Sequence, residues 1–192
     1  MKKLLSILLF SIFLLSSPSV FADDISDFEI EGISIGDSLL DYFSEEEILE
    51  NQRSYNEEKK FISSEFAINS SQYDSIGAYY KNNDKEYTIY GVLGFISYKT
   101  NIKNCFKKDK EIVKSFGDLQ NDNNWNYNEY KDPDGFFTFN FIEINTGSIK
   151  VSCYDWNLAT EKKLNWIDHL RIDIYSNELN DWFNEIDQIY SD

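Results

Sequence analysis

The chain predicts an α+β domain with a mainly antiparallel sheet of about five strands and helices packed on one face. Two helical stripes and one hairpin carry that prediction. Residues 101–116 place Ile102, Cys105, Phe106, Ile112, Val113 and Phe116 at spacings of three and four, with Lys and Glu between them. Residues 177–189 repeat the pattern with Leu179, Trp182, Phe183, Ile186 and Ile189. Between these stretches, Phe137, Phe139 and Phe141 alternate, Asn145-Thr146-Gly147 turns the chain, and Ile149, Val151 and Cys153 alternate on the return.

The remaining elements follow in order. Phe28-Glu29-Ile30 reads as a short strand, and Asp37 as the N-cap of a short helix carrying Leu39, Leu40 and Phe43. Ser44-Glu45-Glu46-Glu47 is a capping box opening a second short helix through Leu49. Residues 51–72 are polar and ambiguous, with one apolar cluster at Phe61, Ile62 and Phe66. Residues 73–81 and 86–99 favour strands about an Asn82-Asn83-Asp84 turn. The second of these is apolar on both faces, Ile89, Leu93 and Phe95 against Tyr90, Val92 and Ile96, which predicts a central position. Gly91 and Gly94 suggest a bulge or bend there. Gly117 reads as the end of the helix at 101–116, residues 118–135 as a long polar loop, and Asn177 as the cap of the last helix. In residues 168–175, Leu170, Ile172 and Ile174 should face inward, and His169, Arg171 and Asp173 outward.

The N-terminus has the build of an export signal. Lys2 and Lys3 precede an apolar run from Leu4 to Leu15, and Ser19-Val20-Phe21-Ala22 offers small residues three before and directly at a cut after Ala22. That apolar run falls short of the ~20 residues that span a bilayer as a helix. The expectation is therefore a signal peptide at 1–22 and a single α+β domain at 23–192, exported to the periplasm or beyond, with no integral membrane segment after cleavage. No Cys stands at the cut for lipid attachment.

Composition narrows the partners. With 34 acidic and 18 basic residues the formal charge is −16, which argues against nucleic acid and anionic membrane surfaces. Cys105 and Cys153 are the only cysteines. An oxidising compartment and their places on inward faces of a helix and a strand predict a disulfide between them. His169 is the only histidine, so no multi-histidine metal site exists, and no G-x-S-x-G nucleophile motif is present. Asp132-Pro133-Asp134-Gly135 reads as a turn, because an EF-hand register would put Tyr130 and Phe141 where carboxylate ligands belong. No cofactor and no metal site is expected.

Aromatic residues make up 17% of the chain, and Trp125, Tyr127, Tyr130, Trp156 and Trp166 lie off the helical stripes. Rings in such places stack on sugar or peptide groups, so these five form the expected ligand-binding patch. The function that follows is an exported, non-catalytic binding domain for a protein, peptide or glycan. A carboxylate-based hydrolase such as a glycosidase is the alternative, since Asp and Glu are plentiful. A structural periplasmic protein with no small ligand is a third.

The segments from Phe28 to Ile48, from Asn101 to Cys105 and from Val151 to Trp156 resemble a group of uncharacterised exported proteins from AT-rich bacterial genomes. That resemblance implies export and no particular activity. The Gly-then-helix opening is also similar to the small modules of outer-membrane assembly lipoproteins and β-lactamase inhibitor proteins.

Overall fold

A computed structural model describes residues 24–53, 60–99, 101–120 and 125–191. The leader expected at 1–22 lies outside the described residues. In chain order the elements are β1 (Glu29–Ile30), β2 (Ile33–Ser34), α1 (Glu45–Glu50), β3 (Gln52–Arg53), β4 (Phe61–Ala67), β5 (Ser75–Lys81) and β6 (Ile89–Ser97). Then come α2 (Ile102–Gln120), β7 (Asn126–Lys131), β8 (Gly135–Ile144), β9 (Gly147–Trp156), α3 (Leu158–Leu164), β10 (His169–Ser176) and α4 (Asn177–Ser191). Strands β1 and β2 form a two-stranded ribbon; the other eight form one antiparallel sheet in the order β3-β4-β5-β6-β10-β9-β8-β7.

This overturns the expected sheet of about five strands with helices on one face. The sheet has eight strands, and helices cover both of its faces. On one face, Ile149, Val151, Cys153, Leu170, Ile172 and Ile174 meet α2 and the β1–β2 ribbon. On the other, Phe61, Tyr79, Leu93 and Tyr175 meet Leu179, Trp182 and Ile186 of α4. A strand covered on both sides has no fully exposed face, even where its residues are polar. Leu170, Ile172 and Ile174 are buried as expected, but Asp173, expected outside, is 0% exposed, and His169 and Arg171 are only half-exposed.

The missed strands sit where alternation fails. In β4, Ser63 and Ser64 interrupt the apolar pattern, and Ser64 is buried because its hydroxyl donates to the Ile48 carbonyl at 2.7 Å. Strand β7 occupies part of the stretch expected as a loop; all six residues are exposed, so no inward face marked it. Helix α2 passes through Gly117 to Gln120 rather than stopping there. Ser38, not Asp37, caps the single 3-10 turn at Leu39–Asp41, and Asp37 instead accepts from the Ser34 N–H and the Tyr42 hydroxyl. Ser176 rather than Asn177 caps α4, its Oγ accepting the Leu179 N–H. The capping box at Ser44 and Glu47 is present as read.

Strand β6 is central, between β5 and β10. Its two faces differ from simple alternation because the register shifts where Tyr80 pairs Ile89 and Tyr79 pairs Gly91. Tyr90 is the extra residue, so Ile89 joins Val92 on the α2 face while Tyr90 joins Leu93 and Phe95 on the α4 face. Gly91 makes room for the helix, since a Cβ there would stand 2.5 Å from Cδ2 of Leu179.

The predicted bond is present: Cys105 on α2 and Cys153 on β9 form a disulfide, with Cα atoms 6.0 Å apart. Both residues are 0% exposed. Helical periodicity turned one thiol toward the sheet, and strand alternation turned the other toward the helix.

Candidate functional site

Helix α4 covers only part of its face of the sheet. Alternation along β8, β9 and β10 brings Phe137 and Phe139, Tyr154 and Trp156, and His169 and Arg171 to the same face beyond it. There they form a continuous ring network. Tyr154 stacks on His169 with centroids 4.6 Å apart and on Trp156 at 5.7 Å. Phe137 packs against Trp156 at 4.8 Å and under Tyr130 at 6.3 Å. Trp166, just after α3, closes on Trp156 at 4.4 Å, and Phe95 flanks His169 at 5.9 Å. Phe137 is buried at the base, while Tyr130 and Trp166 are 56% and 46% exposed at the rim. Tyr154 also lines a groove of about 580 Å³ running between α4 and the β8–β9 hairpin past Lys150 and Arg171.

The cations on this face share one carboxylate. Asp173 receives Nε of Arg171 at 2.5 Å on one oxygen, and Lys150 Nζ lies 3.3 Å from the other. Burial alone would raise the Asp173 pKa, but Arg171 and Lys150 outweigh it and hold it below the ordinary carboxylate range. Arg171 also donates to the Tyr175 hydroxyl at 2.7 Å. Burial holds the pKa of His169 below its usual value, so the ring is neutral near pH 7. With Nδ1–H donated to the Ile167 carbonyl at 2.8 Å, Nε2 carries the free lone pair. Burial raises the pKa of Asp155 and of Asp168, and Asp168 accepts the Trp156 backbone N–H.

The opposite face holds a second concavity. A cleft of about 600 Å³ opens between α2 and the β7–β8 edge, walled by Phe106, Val113, Trp125, Tyr127 and Phe136. Asp109 of α2 lies at its base, 3% exposed, and Nδ2 of Asn140 donates to both carboxylate oxygens at 2.9 Å. Burial raises the Asp109 pKa to about 6 despite that bond. A carboxyl whose folded pKa lies above its unfolded value favours the fold when protonated, and that advantage is lost as pH rises through about 6. Replacing Asp109 by Asn removes the charge and keeps an acceptor for Asn140. Asp109→Asn should therefore match the parent near pH 4 and exceed it by up to about 3 kcal/mol near pH 8, as read by urea melts at each pH.

The five expected patch residues thus divide between two places. Tyr130, Trp156 and Trp166 meet on the α4 face. Tyr127 and Trp125 lie on the α2 face, where Tyr127 donates to Glu129 and Trp125 packs near Phe116. Their separation follows from the register of β7, in which Tyr127 opposes Asn140 and Tyr130 opposes Phe137. Tyr154, Phe137 and His169 complete the cluster; the first two sit inside strands, and His169, expected to face outward, carries no spacing signal that it joins other rings. Among the described residues no group of three His, Cys, Asp or Glu side chains gathers to hold a metal ion. No helix among them is long and apolar enough to cross a membrane. Comparisons with protein-family models, with curated proteins and with solved structures find no match.

Proposed function

We propose that this protein is a non-catalytic binding module, working outside the cytoplasm, that holds a neutral glycan chain on the α4 side of its sheet. The observation that carries the proposal is the ring network of Tyr130, Phe137, Tyr154, Trp156, Trp166 and His169, left uncovered by α4. Sugar rings present apolar C–H faces, which stack on aromatic rings, and hydroxyls, which need fixed donors and acceptors beside them. The free Nε2 of His169 and the hydroxyls of Tyr130 and Tyr154 supply such groups. Arg171 and Lys150 are both already engaged by Asp173, so neither is a free cation for a charged peptide, and a neutral ligand suits this face better. The leader-like residues 1–22, the disulfide and the resemblance to exported proteins support a place outside the cytoplasm. In the native host, mature protein beginning at Asp23 is the expected mass-spectrometric result; product retaining residues 1–22 would contradict it.

Calorimetric titration with neutral oligosaccharides tests the ligand. Trp166→Ala and Tyr154→Ala should each weaken binding by roughly tenfold or more. Affinity should hold steady as pH falls to about 6.5 and decline only below that, where His169 gains its second proton and loses its acceptor. Binding that ignores both substitutions, or no binding to any neutral oligosaccharide, would overturn the reading.

A further inference from the structure

The α2 cleft has a property that the aromatic face lacks: a buried carboxylate whose held partner is neutral. Asn140 fixes the orientation of Asp109 without supplying charge, and among the described residues Asp109 forms no ion pair. Carboxylates this deeply buried are rarely kept unless paired. Here the residue also breaks the apolar stripe of α2, one turn after Cys105 and just before Ile112. Asn140 breaks the inward side of β8 in the same way, between Thr138 and Ile142. Two polar residues on facing elements have been spent on holding one carboxylate at the base of an open cleft.

We propose that this cleft binds an organic cation, an ammonium, amidinium or guanidinium group on an apolar stem, with its charged head against Asp109. The volume of about 600 Å³ lies within the usual size of small-molecule sites. Phe106, Val113, Trp125 and Phe136 give apolar and aromatic walls for the stem, and rings of this kind also attract cations. The Thr138 hydroxyl lines the same cleft, is 3% exposed and has no hydrogen-bond partner among the described residues, so a polar atom of the guest has a place to bond. The groups facing Asp109 are Lys110 and Lys114 from α2, Tyr127 and Glu129 from β7, and the neutral Phe136, Thr138 and Asn140 from β8. The two lysines are exposed on the rim and are not bonded to Asp109. A single buried carboxylate is a poor metal site, which leaves an organic cation as the fitting guest.

The test is titration of the disulfide-intact protein with benzamidine, using benzamide as its neutral counterpart. Benzamidine should bind at about pH 7.5, shift the side-chain amide resonances of Asn140, and bind at least tenfold more weakly at about pH 5, where Asp109 is protonated. Asp109→Asn should cause a similar loss, while benzamide should respond to neither change. In the unsubstituted protein, saturation with benzamidine should lower the midpoint of the Asp109 carboxyl titration followed by NMR. Equal benzamidine affinity for parent and Asp109→Asn, equal affinity for benzamide, an unmoved Asp109 midpoint, or no saturable binding would each overturn the proposal. Because glycan binding is measured on the other face, neither outcome here decides that one.

Discussion

Replacing Arg171 by Met is expected to destabilise the fold by about 3 kcal/mol, because it strands a buried carboxylate. Asp173 is 0% exposed and lies between β6 and β9, opposite Leu93 on one side and Lys150 on the other. Arg171, two residues earlier on the same face, bonds it at 2.5 Å and reaches on to Tyr175. With Arg171 gone, Lys150 at 3.3 Å is the counterion left to it, and Tyr175 loses its donor. The pH dependence should change as well. In the parent, the depressed Asp173 pKa adds stability above the unfolded carboxylate value of about 3.9 that is lost as pH falls below it. In Arg171→Met, desolvation should dominate, so protonating Asp173 relieves the variant and its deficit shrinks on acidification. The double variant Arg171→Met/Asp173→Leu should recover most of the loss, since removing both members of a buried pair costs far less than removing one. Urea melts of the three proteins at two pH values measure this; a single variant within about 0.5 kcal/mol of the parent would show the pair to be energetically idle.

The same cluster shows where sequence reasoning reached its limit. Where apolar residues recur on one side of an element, spacing locates it: α2, α4 and the β8–β9 hairpin stand where periodicity puts them, apart from the extension of α2 past Gly117, and the inward residues of β10 are buried. A polar residue in an alternating strand is not thereby an exposed one. Arg171 and Asp173 alternate with Leu170, Ile172 and Ile174 as surface residues do, yet β10 lies between β6 and β9, Asp173 is fully buried, and its ion pair with Arg171 is what offsets that burial. Edge strand β7 has the opposite defect, being exposed on both faces and so without any pattern. Of the candidate sites, the aromatic cluster was partly legible: Tyr130, Trp156 and Trp166 were among the expected rings, while Phe137, Tyr154 and His169 beside them were not. The Asp109–Asn140 pair did leave a signal: a carboxylate inside a helical apolar stripe and an amide inside a strand's inward face. Each looks like an ordinary interruption by itself. Their meaning depends on α2 crossing β8, which no local pattern encodes.

Removal of the Cys105–Cys153 disulfide should have the largest effect of any change considered. The bond closes a loop with a sequence separation of 48 residues, worth about 4 kcal/mol in the chain-entropy model. For a domain of this size that corresponds to a fall in Tm of roughly 10 °C. Cys105→Ala/Cys153→Ala isolates the cross-link, because each residue is fully buried and alanine leaves only a small gap where a sulfur packed. The loss should also be local in its consequences. The bond ties α2 to β9, and Asp109 follows Cys105 by one helical turn, so the same covalent link positions the wall of the α2 cleft. The ring network on the opposite face is built on β8, β9 and β10, whose pairing does not depend on α2. Calorimetry and hydrogen exchange on the double variant separate these effects: Tm should fall, amides of α2 should lose protection first, and those of β9 and β10 should follow the global stability. An unchanged Tm would mean that the unlinked chain is already constrained across these residues. Equal loss of protection in α2 and β10 would mean that helix and sheet open as one cooperative unit, with the disulfide acting only through the unfolded state.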